Sequence, residues 1–300
     1  RHTRWNCDWS SDVCSPILAR RYSTEWNGWM CTPSHSSPAI ADIDSDRLNG
    51  KLFILPRGLV SVRAAYLLGI SCAITGLVIA GFLDRTMLIL FGIALVLGVL
   101  YDLPPASLKN RAWGGTIACF LGHGMLTFMV GWYAAKASAL GAPPGWASPL
   151  DLQAVVDSLI PSLCAGFANA AVFVTTTIPD ADGDRAIGKH TFAVVYGHKL
   201  TAIAATLFCC GALVTSFFLR NNAWVMILPS AASLVIFALL VVVTDRERIF
   251  ASFKWPVFLL TAVVALFIPT YGILVIATFW GSRLYYQRRF NFIYPTFKAQ

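Results

Sequence analysis

The segment DIDSDRLNGK, which begins at Asp42, recurs later in the chain as DADGDRAIGK, which begins at Asp180. In a helix, residues four apart share a face, so Asp42 pairs with Asp46, and Asp180 pairs with Asp184. Two close carboxylates repel each other unless a cation lies between them, and oxygen ligands of this kind suit Mg²⁺ together with phosphate oxygens. The doubled pattern therefore predicts a magnesium-dependent site for a polyanion such as a diphosphate.

Basic residues follow each acidic pair. Gly50 and Gly188 predict that the helix ends there, because glycine favours helix C-termini, and the following Lys would then lie on a loop beside the metal. The alternative is an ordinary solvated loop, in which Asp caps a helix and Lys or Arg anchors the membrane surface. Two matched copies favour chemistry, because membrane topology has no use for repeated aspartate pairs.

A third polar element is the segment YDLPPASLKNR, from Tyr101 to Arg111. Its two prolines end the preceding apolar stretch and predict an extended turn. Tyr101, Lys109 and Arg111 could then reach a phosphate group. The alternative is an aromatic residue at the membrane interface, followed by charges that set the topology.

The chain that must position these residues is strongly apolar. Hydrophobic residues make up 57% of its 300 residues, charged residues 13%, and the mean hydropathy is +0.64. A helix needs about 20 apolar residues to cross a hydrocarbon layer of about 30 Å. Barrel strands are shorter and alternate in polarity, so the predicted fold is an all-α, polytopic transmembrane helical bundle. Its seven predicted spans are residues 59–82, 86–101, 113–135, 152–177, 200–219, 223–244 and 255–280.

The basic residues between these spans are unevenly shared. One set of loops holds Arg47, Lys51, Arg57, Lys109, Arg111, Arg185, Lys189, Lys199, Arg246, Arg248 and Lys254, and the alternate set holds Arg85, Lys136 and Arg220. By the positive-inside rule the acidic segments face the cytoplasm, in a membrane of the bacterial inner-membrane type. The C-terminal basic residues fall on the opposite side and run against the rule. They are Arg283, Arg288, Arg289 and Lys298.

Charge and local pattern divide the chain into three parts. The net charge of +8 is explained by membrane topology rather than by a nucleic-acid partner, because the basic residues cluster at span ends.

Residues 1–40 have no apolar run or helical period, and the segment DWSSDVCS within them resembles a translated sequencing adapter. We therefore interpret residues 1–40 as partly artefactual or disordered. A natural polar leader is the alternative. Residues 41–282 form the predicted transmembrane domain, and residues 283–300 a polar and aromatic tail.

Together, the three polar elements resemble the UbiA-type intramembrane prenyltransferase superfamily. Its members carry N-x-x-x-D-x-x-x-D after the second helix, a Tyr and Lys element after the fourth, and D-x-x-x-D after the sixth. The stretch IPDADGDRAIGKHTFAVVYG is the most specific match. The matching residues are Asp42, Asp46, Tyr101, Lys109, Asp180 and Asp184.

The resemblance covers about residues 40–280 and has two departures. The family has nine helices, so the seven spans here would correspond to helices three to nine. Pro38 stands where the family has Asn, four residues before Asp42. Both departures agree with an N-terminal part that is truncated or altered.

The resemblance implies transfer of a prenyl group from an isoprenyl diphosphate to a lipophilic or aromatic acceptor within the lipid membrane. The four motif aspartates would hold Mg²⁺, and Lys109 and Lys189 are the first candidates to contact the diphosphate. Asn169 is a polar candidate inside a span, with hydrogen-bonded packing as its alternative. A secondary transporter with paired-carboxylate cation sites and an intramembrane terpene cyclase are the alternative functions. The full diphosphate-binding set is Lys51, Tyr101, Lys109, Arg111, Arg185 and Lys189.

Overall fold

The computed structural model describes residues 61–140, 150–219, 222–291 and 293, and the side chains of 136–140 and 290 are outside this description. Asp42, Asp46, Lys51 and the segment 1–40 therefore lie outside the described residues. Within the described ranges all regular elements are helical, which confirms the predicted all-α class.

Ten α-helices form the described part of the chain. They are α1 Val62–Leu83, α2 Arg85–Asp102, α3 Ala112–Cys119, α4 Thr127–Leu140, α5 Leu152–Thr176, α6 Ala181–Ala186, α7 Phe192–Ser216, α8 Trp224–Val242, α9 Arg246–Phe267 and α10 Pro269–Phe290. A π-helical segment, Phe120–Leu126, joins α3 to α4, and a short 3-10 turn, Leu108–Asn110, precedes α3.

Seven helical segments of the described chain are long and apolar enough to cross a membrane, which confirms the predicted number of spans. The third runs continuously through α3, the π-helical segment and the start of α4, from Ala112 to Ala135. The fifth begins at Phe192 rather than at the predicted residue 200. Gly197 interrupts this segment with φ 76°, a backbone conformation that glycine adopts without a steric penalty. The kink separates residues 192–196 from the long helical part that follows, and that part begins close to the predicted residue 200.

The predicted seventh span, residues 255–280, is wrong in its boundaries. α9 starts at Arg246 and ends at Phe267, and α10 starts at Pro269. The proline disfavours a helical conformation for Ile268, which has φ −123° and ψ 82°. A Cβ placed on Gly272 would lie 3.1 Å from the Cβ of Ala265, so the chain folds back as a helical hairpin instead of continuing straight.

Two further sequence assignments change with this hairpin. α10 continues to Phe290, so the predicted boundary between domain and tail at residue 282 falls inside a helix. Lys254, assigned to a loop from the sequence, lies inside α9, where it is 5% exposed. Its ammonium lies 5.0 Å from the centre of the Phe250 ring, which is one turn earlier on the same helix.

Small residues allow the central helices to approach closely. Ala170, Ala171, Ala202, Ala205 and Ala212, on α5 and α7, are 0% exposed, and such small side chains are typical of close contacts between membrane helices. A Cβ on Gly124 of the π-helical segment would collide with the backbone of Gly166 on α5. α5 therefore packs against the π-helical segment on one side and α7 on the other.

One end of the bundle collects the polar elements. Here α2 ends and α3 begins, α5 ends and α7 begins, and α8 ends and α9 begins. We call this end, formed by residues 101–113, 177–191 and 243–245, the motif face. Two residues of the motif face, Ile178 and Ala181, belong to a buried apolar cluster with Ala193, Ala202 and Leu240.

Candidate active site

The second acidic motif forms one short helical turn at the motif face. The backbone N–H of Asp184 donates to the carbonyl of Asp180 at 2.9 Å, so the two aspartates have the helical spacing that the sequence predicts. Asp184 is 6% exposed, whereas the side chain of Asp182 between them is 96% exposed. Only the outer members of D-x-D-x-D are therefore directed at the protein.

The chain after α6 returns to Asp184. Gly188 has φ 76°, which lets the helix end sharply, and the backbone N–H of Lys189 then donates to the Asp184 carbonyl at 2.9 Å. Lys189 Nζ lies 3.7 Å from Asp184 Oδ1. Thr191 Oγ1 donates to Asp184 Oδ2 at 3.1 Å. Thr191 lies in the stretch that matches the family most specifically, but the sequence alone predicted no role for it.

Two predicted diphosphate contacts lie at the exposed surface. Arg185 is in the last turn of α6 rather than on the following loop, and its guanidinium lies 3.5 Å from Asp182, with side-chain exposures of 61% and 96%. Arg111 is also exposed. Both remain at the motif face, but Arg185 is paired on the side of α6 opposite to the buried Asp184.

The Tyr and Lys element folds back on the end of α2. Lys109 Nζ lies 3.7 Å from Oδ1 of Asp102, and the two side chains are 7% and 0% exposed. Tyr101 is half-buried, and its side chain lies near that of Cys119 of α3. Sequence reasoning missed Asp102, although a carboxylate beside Tyr101 at the end of an apolar span is a recognisable signal.

A backbone contact joins the two polar loops. The N–H of His190 donates to the carbonyl of Asn110 at 3.0 Å, and His190 and Arg111 form an isolated parallel bridge. Next to this junction, Trp113 Nε1 donates to the Tyr196 hydroxyl at 2.9 Å. Lys109 directly precedes Asn110, and Lys189 directly precedes His190. The backbone contact thus joins the two loops that carry the lysines ranked first from the sequence.

Asn169 has a hydrogen bond within the bundle. Its Nδ2 donates to the carbonyl of Cys119 at 3.0 Å, where α3 changes into the π-helical segment. The wider π turn shifts the helical hydrogen-bond ladder, and a side-chain amide can satisfy a carbonyl at such a shift. A second polar residue of the span, His123, lies within this π-helical segment.

The described residues include two of the four carboxylates predicted to bind magnesium. They contain no group of three or more His, Cys, Asp or Glu side chains arranged to hold a metal. Asp180 and Asp184 supply two carboxylates on one turn, with Lys189 beside Asp184. Mg²⁺ is commonly held by one or two carboxylates together with water and phosphate oxygens, so this donor set fits it.

A family model described as the UbiA prenyltransferase family matches residues 39–263. This match includes both acidic segments and confirms the resemblance inferred from the sequence.

Two curated relatives share part of the chain. The 2-acylphloroglucinol 4-prenyltransferase, chloroplastic, of Humulus lupulus is 30% identical over 56% of this chain and 39% of its own length. The digeranylgeranylglyceryl phosphate synthase of Thermococcus kodakarensis is 28% identical over 59% of this chain and 56% of its own length. The chain therefore spans about half or less of the length of these relatives.

The fold also matches solved structures. A UbiA homolog from Archaeoglobus fulgidus, bound to DMAPP and Mg²⁺, superposes with a TM-score of 0.57. The superposition covers 83% of this chain and 84% of that chain at 21% identity, which supports a shared fold.

Proposed function

Because this chain belongs to the UbiA prenyltransferase family, we propose that it transfers a prenyl group from an isoprenyl diphosphate to an aromatic or lipid acceptor within the membrane. The observation that carries the proposal is the His190–Asn110 hydrogen bond, at 3.0 Å. It joins the loop of Lys109 to the loop of Lys189 and Asp184, so cations and carboxylates from two distant segments meet at one end of an apolar bundle.

The proposed chemistry needs stabilisation of departing negative charge. Breaking the allylic C–O bond leaves a carbocation and a diphosphate anion. Lys189 and Lys109 would contact the diphosphate oxygens as charge-assisted donors, and Thr191 would hold the orientation of Asp184. The surrounding apolar helices would keep water away from the cation.

Mg²⁺ is the proposed cofactor, held by Asp180 and Asp184 and by the predicted pair Asp42 and Asp46. When bound, it would supply positive charge to the diphosphate as it departs. The Archaeoglobus fulgidus homolog, which was solved with DMAPP and Mg²⁺ bound, supports this assignment by analogy. Lys189, beside Asp184, would add a second positive charge at the diphosphate when the metal is bound.

An apolar groove offers a place for the prenyl tail. It has a volume of about 620 Å³ and is lined by apolar residues of α2, the π-helical segment and α4, among them Ile89, Gly92 and Leu121. Its lining on α2 extends to Leu100, next to Tyr101 of the polar loop. A donor whose diphosphate lies at the motif face could extend its prenyl tail into this groove, so we propose that the groove binds the tail.

We propose that the motif face lies on the cytoplasmic side of the membrane, and the α9–α10 hairpin supports this orientation. α10 has 22 residues, so it is about 33 Å long at the usual helical rise. A hairpin starting at the end opposite the motif face returns Arg283, Arg288 and Arg289 toward the motif face. α10 is not one of the seven segments that are apolar enough to cross a membrane, so a crossing by α10 is part of this proposal. If α10 does cross, these arginines and the motif face lie on the same side, which agrees with the positive-inside rule for a cytoplasmic motif face.

The experiment is release of diphosphate by membranes that contain the full chain, supplied with C10 to C20 prenyl diphosphates and either Mg²⁺ or EDTA. We expect metal-dependent release that is abolished in Asp184→Asn. Asp182→Asn is the matched control, because Asp182 lies on the same turn but is exposed. A carrier would leave the donor intact, so accumulation of unchanged donor in vesicles would instead favour transport.

A further inference from the structure

A buried carboxylate lies at the end of α2. Asp102 is the last residue of this helix, and its side chain is 0% exposed. A helix C-terminus carries partial negative charge, so an anion there is disfavoured, and burial adds a desolvation cost. A carboxylate in this position needs a compensating cation.

The loop after α2 contains the compensating cation, Lys109. The N–H of Ser107 donates to the Leu103 carbonyl at 2.9 Å, and Ser107 itself has φ 37°, an unfavourable conformation for a residue with a side chain. The chain then forms the 3-10 turn that contains Lys109, whose ammonium reaches within 3.7 Å of Asp102. A costly backbone conformation is thus part of the turn that brings the lysine to the carboxylate.

The pairing differs from that of the other lysine. Lys189 approaches Asp184, which is itself a candidate metal ligand. Asp102 belongs to neither acidic motif, so its carboxylate can keep Lys109 in place while the motif carboxylates bind metal. The Lys109 loop is also the one joined to His190 by the backbone hydrogen bond.

We infer that Asp102 is a positioning residue, whose carboxylate orients the Lys109 ammonium toward the diphosphate of the donor. This inference rests on the proposed function. Asp102 acts only through Lys109, so removing its charge leaves the lysine without its counter-charge in a site with little water, and removing both groups does no further harm.

The test measures binding of inorganic pyrophosphate, with Mg²⁺, to the purified full chain in detergent, together with the KM for a prenyl diphosphate. The variants are Asp102→Asn, Lys109→Gln and the double variant. We expect each single variant to weaken pyrophosphate binding about tenfold, as expected for the loss of a charge-assisted contact. We expect the double variant to match Lys109→Gln, and the KM to rise more than kcat falls.

Asp84→Asn is the matched control for damage to the fold. Asp84 is also buried, at 8% exposure, and caps the opposite end of α2 by accepting the N–H of Thr86. We expect this variant to lower the melting temperature while pyrophosphate affinity stays within about twofold of the wild type, since a lost N-cap acts on stability.

Three results would overturn the inference while the proposed function stands: unchanged or tighter pyrophosphate binding in Asp102→Asn, additive losses in the double variant, or loss of affinity in Asp84→Asn equal to that in Asp102→Asn. If the wild-type chain neither binds pyrophosphate nor releases diphosphate from any donor, the proposed function itself fails, and the inference fails with it.

Discussion

Thr191 Oγ1 donates to Oδ2 of Asp184 at 3.1 Å, while Lys189 Nζ lies 3.7 Å from the other oxygen of the same carboxylate. Both oxygens of Asp184 are therefore contacted by side chains that follow it within one loop. These two contacts hold the carboxylate in a defined orientation. In the proposed reaction, this would lower the cost of organising the site.

Thr191→Val should raise the Mg²⁺ concentration needed for half-maximal diphosphate release by about tenfold, because a hydrogen bond to a charged group is lost. Thr191→Ser keeps the hydroxyl and should remain close to wild type. Mg²⁺ titration of diphosphate release measures both variants. Equal behaviour of the valine and serine variants would contradict the role given to the hydroxyl.

Arg185 and Lys189 should respond very differently to neutralisation. Arg185→Gln removes an exposed ion pair with Asp182, so we expect less than about a fivefold change in kcat/KM. Lys189→Gln removes a half-buried cation next to Asp184 and should lower kcat/KM about a hundredfold. Steady-state diphosphate release compares them, and a larger loss in Arg185→Gln would reverse the assignment.

Gly92→Phe should shorten the preferred donor. Gly92 lines the apolar groove, and a Cβ there would meet nothing within 4 Å, so the phenyl ring extends into open space and occupies the groove. We expect kcat/KM for a C20 donor to fall about tenfold relative to a C10 donor.

Gly131→Phe is the control for the groove, because Gly131 of α4 also has open space around it but does not line the groove. A reaction in which the C20 and C10 donors compete gives the ratio of their kcat/KM values directly. An unchanged ratio in Gly92→Phe, in a variant that remains active, would remove the prenyl tail from this groove.

The α9–α10 hairpin predicts the side of the membrane on which the C-terminal helix ends. Single cysteines at Gln287 and Asp182 should label from the same side with a membrane-impermeant maleimide, and a cysteine at Ile268 from the opposite side. All three positions are exposed in the structure, and the eight native cysteines would be replaced first. Labelling of Gln287 together with Ile268 would show that α10 does not cross.

The features that the sequence determined alone are local ones. Apolar length predicts the number of spans, because each span must satisfy its backbone hydrogen bonds internally as a helix. The spacing of Asp180 and Asp184 predicts one helical turn, and Gly188 predicts its end, since both depend on backbone geometry within a few residues. The same local pattern, compared between Asp42 and Asp180, indicated a repeated function.

Only the tertiary structure decided which charges pair. Lys109 pairs with Asp102, and Arg185 pairs outward with Asp182, although the sequence predicted that both contact the diphosphate. The difference arises from burial, because a charge near the bundle interior requires a counter-charge, whereas a surface charge interacts mainly with water. Likewise, the fold-back of α10 at Pro269 depends on its packing against α9, which apolar length alone does not reveal.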